Sequence, residues 1–250
     1  MSKIWTAASA LLASLAVGCI FGYLQTPPTT HGNQIKPFVV HQVERIFNEG
    51  KDQPVFASDQ TFARRSDGSW SDSFTSREAD GSYGHVLDYV DLARMVTVHT
   101  EPVTLSVMTW AISAADIPRD TAAGFRACND LKTGYEAGPH SRILGYDVIF
   151  VSATYTGTGA TEARWVAPAL DCYALRSVYR TPAGGHDDFE VTAVQEVEPP
   201  AALFEVPSGY VERSPKAIQA LYSEKIPGTV VFAKGQVESL ERRYRAARPQ

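Results

Sequence analysis

From Phe38 onward the chain is written in short apolar or alternating runs separated by turn residues. Trp70-Ser71-Asp72-Ser73-Phe74 and Val103-Thr104-Leu105-Ser106-Val107 alternate with period two, which sends successive side chains to opposite faces of a strand. Between the runs stand Ser66-Asp67-Gly68-Ser69, Asp80-Gly81-Ser82 and Asp91–Arg94. Asp-Gly between alternating runs is a hairpin signal. The predicted strands are Phe38–Phe47, Val55–Arg65, Trp70–Arg77, Tyr83–Val90, Met95–Thr100 and Val103–Trp110. Four more follow, at Leu144–Thr154, Ala163–Pro168, Cys172–Arg180 and Phe189–Val197. Strands at this spacing, with no helices between most of them, point to an antiparallel meander and away from the parallel βαβ sheet of nucleotide binders.

Two segments break the pattern. Asp116 is placed to cap a short helix running towards Lys132, with Pro118 in its first turn. After Pro207-Ser208-Gly209 the character becomes helical. Ser214-Pro215 opens a helix over Lys216–Lys225, and Gln236–Ala247 repeats apolar residues at Val237, Leu240 and Tyr244 beside Arg242, Arg243, Arg245 and Arg248. The expected fold is therefore α+β, a mainly antiparallel curved sheet, half-barrel-like, with a few covering helices. Its expected divisions are a membrane or signal segment at 1–24, a linker at 25–37, a β-rich domain at 38–212 and a helical segment at 213–250.

The first division rests on Ile4–Leu24, 21 residues without a charge. As a helix it would extend roughly 30 Å, the thickness of a hydrocarbon core. A removed secretory h-region is usually shorter, about 7–15 residues. Trp5 and Tyr23 suit the two membrane interfaces, and Lys3 on the N-terminal side directs the bulk of the chain out of the cytoplasm. Ala16-Val17-Gly18-Cys19 offers a second reading, a lipoprotein box with lipidation at Cys19, and cleavage nearer Thr26-Pro27-Pro28 a third. All three place the main domain outside the cytoplasm, anchored in or released from a bacterial inner membrane. There Cys128 and Cys172 form an even pair in an oxidising compartment. A disulfide between them would close a loop of about 45 residues, worth around 3–4 kcal/mol.

Chemistry motifs are sparse. A net charge of −5 and a pI near 5.7, without a basic block, argue against nucleic acid. The six histidines form no His-Glu-x-x-His or His-x-His spacing, and His186-Asp187-Asp188 is the densest metal candidate, equally explained as a solvated turn. Gly157-Thr158-Gly159 lacks both the third glycine and the helix of a phosphate loop. No nucleophile elbow occurs. No catalytic, cofactor-binding or metal residue is assigned, and no cofactor is expected. What remains is apolar surface: Trp70, Phe74, Val103, Leu105, Phe150 and Trp165 are the expected apolar-ligand face, able to shelter a lipid if the helices cover the sheet incompletely. The alternatives are an envelope protein–protein interaction module and a hydrolase with a site assembled from distant residues.

Trp165-Val166-Ala167-Pro168, Leu170–Leu175 and Pro199–Tyr210, with Leu144-Gly145-Tyr146 and Asp91-Leu92 upstream, resemble a group of bacterial envelope proteins of unknown function. The same arrangement resembles the half-barrel of the lipoprotein-localisation carriers. That resemblance implies a bent antiparallel sheet that wraps helices and shelters acyl chains, and no functional residue transfers with it.

Overall fold

The computed structural model describes residues 36–77, 83–112, 135–228, 231–232 and 235–248. The segment 1–24, most of the linker, Cys19, Cys128 and the helix expected after Asp116 lie outside the described residues. Among those described, no helix is long and apolar enough to cross a membrane. The chain divides into two compact units, and the division falls within one strand, between Phe74 and Thr75.

The larger unit is an antiparallel sheet. It is built from β1 (Phe38–Phe47), β2 (Phe56–Arg64), the start of β3 (Trp70–Arg77), β7 (Tyr135–Ile143), β8 (Tyr146–Thr154), β9 (Thr161–Ala167), β10 (Tyr173–Arg180) and β11 (His186–Gln195). Their order in the sheet is β3-β2-β1-β11-β10-β9-β8-β7, with every neighbour antiparallel. The expected turn at Ser66–Ser69 forms between β2 and β3: Gly68 takes φ +89° and the Asp67 carboxylate accepts the Ser69 N–H at 2.8 Å. The sequence misses β7 and starts β8 two residues early, because Leu144-Gly145 is the turn between them, both at positive φ.

The core of this unit is made by Phe38, Val40, Val148, Ala167, Leu170 and Leu175, all fully buried. Each large side chain among them contributes about 1.5–3 kcal/mol on leaving water. Phe38, Phe62 and Tyr173 meet as an aromatic cluster, with Phe62 and Tyr173 centroids 4.9 Å apart and Phe38 edge-on to Tyr173 at 5.5 Å. Leu170 enters the core from a 3-10 turn, Pro168–Leu170, that ends on two left-handed residues, Asp171 (φ +52°) and Cys172 (φ +65°). Such residues cost of order 1–3 kcal/mol each. The turn is held by Cys172 N–H to Ala167 O at 2.9 Å and by Arg64 Nη1, 3.2 Å from Asp171 Oδ2. Arg64 is 4% exposed, so this ion pair anchors the turn from inside.

The smaller unit carries β4 (Tyr83–Asp91), β5 (Val96–Glu101) and β6 (Ser106–Ala111) as an antiparallel meander, with β12 (Val211–Glu212) parallel to β6. Two helices, α1 (Pro215–Lys225) and α2 (Gln236–Ala246), follow, so the chain is α+β. The Ser214-Pro215 start is formed: Ser214 Oγ accepts the Ala217 N–H at 3.3 Å, with Pro215 in the first turn. The stripe Val237, Leu240, Tyr244 of α2 packs on Met108, Ile218 and Phe232.

One expected strand segment is corrected here. Val103–Leu105 is a turn and β6 begins only at Ser106. The buried Glu101 carboxylate draws the chain round by accepting the N–H of Val103 at 3.0 Å and of Thr104 at 2.7 Å. Leu105 is left at φ +47° and half exposed. Arg213 Nη1 closes the turn from β12, donating to Ser106 Oγ at 2.9 Å and Leu105 O at 3.2 Å.

Candidate functional site

Strand register decides what the larger unit presents. On β8, β9 and β10 three cross-strand rows share one face: Thr154, Thr161 and Arg180; then Ser152, Ala163 and Val178; then Phe150, Trp165 and Arg176. The middle row is short, and each outer row carries a long side chain, Arg180 on one and Arg176 beside Trp165 on the other. The result is a groove of about 610 Å³ lined by these strands. At its aromatic end the Phe150 and Trp165 rings meet at 5.1 Å and 65°, and the Arg176 guanidinium lies 5.0 Å from the Trp165 ring centre. Gly138 on β7 makes room for this arrangement: a Cβ there would stand 2.5 Å from the Phe150 ring.

The charged groups that line the groove are two guanidinium groups, Arg176 and Arg180, and one carboxylate, Glu162. Among the described residues neither Arg176 nor Arg180 has a hydrogen-bond or ion-pair partner. Glu190, opposite Arg176, is approached by Arg45 at 3.6 Å, and Asp188, opposite Val178, lies 4.0 Å from His186 Nε2. Glu162 accepts from the Tyr155 hydroxyl at 2.6 Å and from Arg164 Nε at 2.7 Å.

The other face of the same sheet carries a polar chain. The Tyr173 hydroxyl donates to Gln42 Oε1 at 2.6 Å, Gln42 Nε2 to Gln60 Oε1 at 2.8 Å, and Gln60 Nε2 to Glu44 Oε2 at 2.7 Å. Glu44 is in turn hydrogen-bonded to Asp187. Burial, then the charge and hydrogen bond of Glu44, then the charge of Asp188, push the Asp187 carboxyl up to about 8. Burial, with the charge of Asp72 behind it, likewise holds the Tyr173 phenol well above its usual range. A carboxyl raised by burial beside a second carboxylate is a feature of acid–base sites. Here their partners are a glutamine and each other, with no nucleophile in the chain of bonds.

The four residues of the expected ligand face that lie in the larger unit are divided between the two faces of its sheet. Trp70 stacks on Phe62 at 6.1 Å and shares the polar-chain face with Phe74, which stands opposite Gln60. Phe150 and Trp165 lie on the groove face. Val103 and Leu105 sit in the Glu101 turn of the smaller unit. His186-Asp187-Asp188 is likewise divided by the strand period. His186, stacked on Phe47 at 4.3 Å, shares the groove side with Asp188, while Asp187 points to the other. Among the described residues no group of three or more His, Cys, Asp or Glu is placed to hold a metal ion. Arg176, Arg180 and the Glu44–Asp187 pair were missed by sequence reasoning. The alternation Arg176-x-Val178-x-Arg180 was the available signal for the first two.

No protein-family model matches the chain, and no curated protein is similar to it in sequence. Several solved structures are similar in fold. An uncharacterized conserved protein from Thermus thermophilus shares 10% identity over 72% of this chain and 91% of its own, with a TM-score of 0.45. MucB, in the MucA/MucB complex of Pseudomonas aeruginosa, shares 15% identity over 72% of this chain, with a TM-score of 0.36. A domain assigned to outer membrane lipoprotein sorting, from Vibrio parahaemolyticus, shares 10% over 64% of this chain and 85% of its own, with a TM-score of 0.30. The chain spans 60% of the MucB structure and 33% of another similar structure, PNGF-II. No residue role transfers from any of these structures.

Proposed function

We propose that the chain is a membrane-tethered, extracytoplasmic binding module of the bacterial envelope, without catalytic activity, whose ligand seats in the β8–β10 groove. The address rests on Ile4–Leu24 with Lys3 before it. The observation that carries the binding role is the groove itself: about 610 Å³ over the small floor of Ser152, Ala163 and Val178. Hydroxyl and guanidinium groups line it beside Trp165, which suits an amphiphilic ligand, whether a lipid with its headgroup or another molecule with one apolar face. The full chain, purified gently in detergent, should carry a stoichiometric adduct in native mass spectrometry. Ala163→Phe, which raises the floor, should remove it while thermal melting remains cooperative. A chain with no adduct, or an adduct indifferent to Ala163→Phe, would sink the reading.

On the same reading Cys172 pairs with Cys128. Its burial against Val151 and Val166 and an oxidising compartment support this. Peptide mapping without reductant should recover the two cysteines in one linked fragment, and separate alkylated peptides would refute the pairing.

A further inference from the structure

We infer that the groove selects a linear acidic oligosaccharide, its acid groups held at the two ends by Arg176 and Arg180. The inference rests on the groove being the ligand site and deepens that assignment. The two guanidinium groups stem from positions four residues apart on one strand, about 13 Å along it. They flank a floor of Ala163 and Val178. At one end Arg180 stands in register with Thr161 and Thr154, a fork of N–H donors beside two hydroxyls. At the other, Arg176 lies over the indole of Trp165. Stacking uses the flat face of a guanidinium and leaves its N–H edge for a carboxylate, which it can meet with two parallel bonds.

The rest of the lining decides among anions. Val178 is 9% exposed and Ala163 half-buried, so the floor is apolar and shallow, a seat for the C–H face of a sugar ring. Ser152 in the floor row and Thr154 and Thr161 beside it supply hydroxyls that both donate and accept, as sugar hydroxyls do. An acyl chain offers nothing for the two guanidinium groups and three hydroxyls to bond, and these would keep their water instead. A small inorganic anion would use one end only. On the neighbouring strand β11, Glu190 stands opposite Arg176 and is approached by Arg45 at 3.6 Å, and Asp188 stands opposite Val178.

Isothermal titration of the full chain in neutral detergent with trigalacturonate tests this, with maltotriose as the uncharged control. Trigalacturonate should bind at least tenfold more tightly than maltotriose, and salt should weaken it. Arg176→Gln and Arg180→Gln, both at exposed positions and checked by thermal melting, should each weaken it about tenfold. Equal binding of the two trisaccharides, or full affinity in both variants, would overturn the assignment. Phosphatidylglycerol vesicles serve as the lipid arm. If they bind in a manner lost in Ala163→Phe while trigalacturonate does not bind, the acidic-sugar assignment fails and the binding role stands. If neither binds, both fail.

Discussion

Asp187→Asn is expected to raise the melting temperature at pH 8–9 while changing it little near pH 4. The Asp187 carboxyl titrates near 3.8 in an unfolded chain and near 8 in the folded one. Between these values the folded state keeps a proton that the unfolded state has released. Stability therefore falls as pH rises from about 4 to about 8 and is level above that. The ceiling is about 1.4 kcal/mol per pH unit. Because the Asp187 carboxyl keeps part of its hydration, a total of a few kcal/mol is the appropriate scale. That corresponds to roughly 5–10 °C for a chain of this size. The groups that face Asp187 set the direction: Glu44 from β1, through its charge and hydrogen bond, with Gln60 of β2 behind it and Asp188 adding its charge from β11. Asparagine stands in for the protonated acid, donates to Glu44 at every pH and removes the slope. Melting curves from pH 4 to 9 for both proteins decide the matter, and parallel curves would contradict the raised Asp187 carboxyl.

Asp171→Ala should destabilise the chain by about 3 kcal/mol, towards the lower end of what removing one partner of a buried pair costs. Arg64 is 4% exposed and loses the Asp171 carboxylate, whereas Asp171 is itself 34% exposed and has already part of its hydration. Burial already lowers the pKa of Arg64, and Asp171 opposes that shift. Alanine also tolerates the left-handed backbone at this position less well than aspartate. Asp171→Asn, which keeps the backbone preference and drops the charge, separates the two contributions. Urea denaturation is the measurement. A loss below about 0.5 kcal/mol, the range of an ordinary surface change, would show that the turn is not held by this pair.

The hairpins of this chain were legible because their causes are local. Asp67-Gly68 provides a left-handed glycine and a carboxylate two residues before the N–H it accepts. Ser214-Pro215 caps a helix with atoms three residues apart. Val103–Leu105 was read as strand because its letters alternate. The Glu101 carboxylate overrides that pattern, since a buried charge must be bonded and the N–H groups of Val103 and Thr104 are within reach. The candidate site was not legible in the same way. Arg176 reaches its row with Trp165 only because the pairing of β9 and β10 slips between Ala174 and Arg176. A slip of one residue sends every later side chain to the opposite face. The same period separates Asp187 from its neighbours His186 and Asp188 and joins it to Glu44, far away in the chain.

The sequence by itself determined that the chain would be antiparallel sheet with helices at its C-terminal end, because turn residues and hydrophobic period act over a few positions. It also carried the uncharged run that proposes an address outside the cytoplasm. Only the tertiary structure decided which side chains share a surface. It set Ser152, Ala163 and Val178 between the rows that carry Arg176 and Arg180, and it parted Trp70 and Phe74 from Phe150 and Trp165. The reason is physical. Facing is set by strand order and register, and these are fixed by contacts between residues that no local pattern brings together.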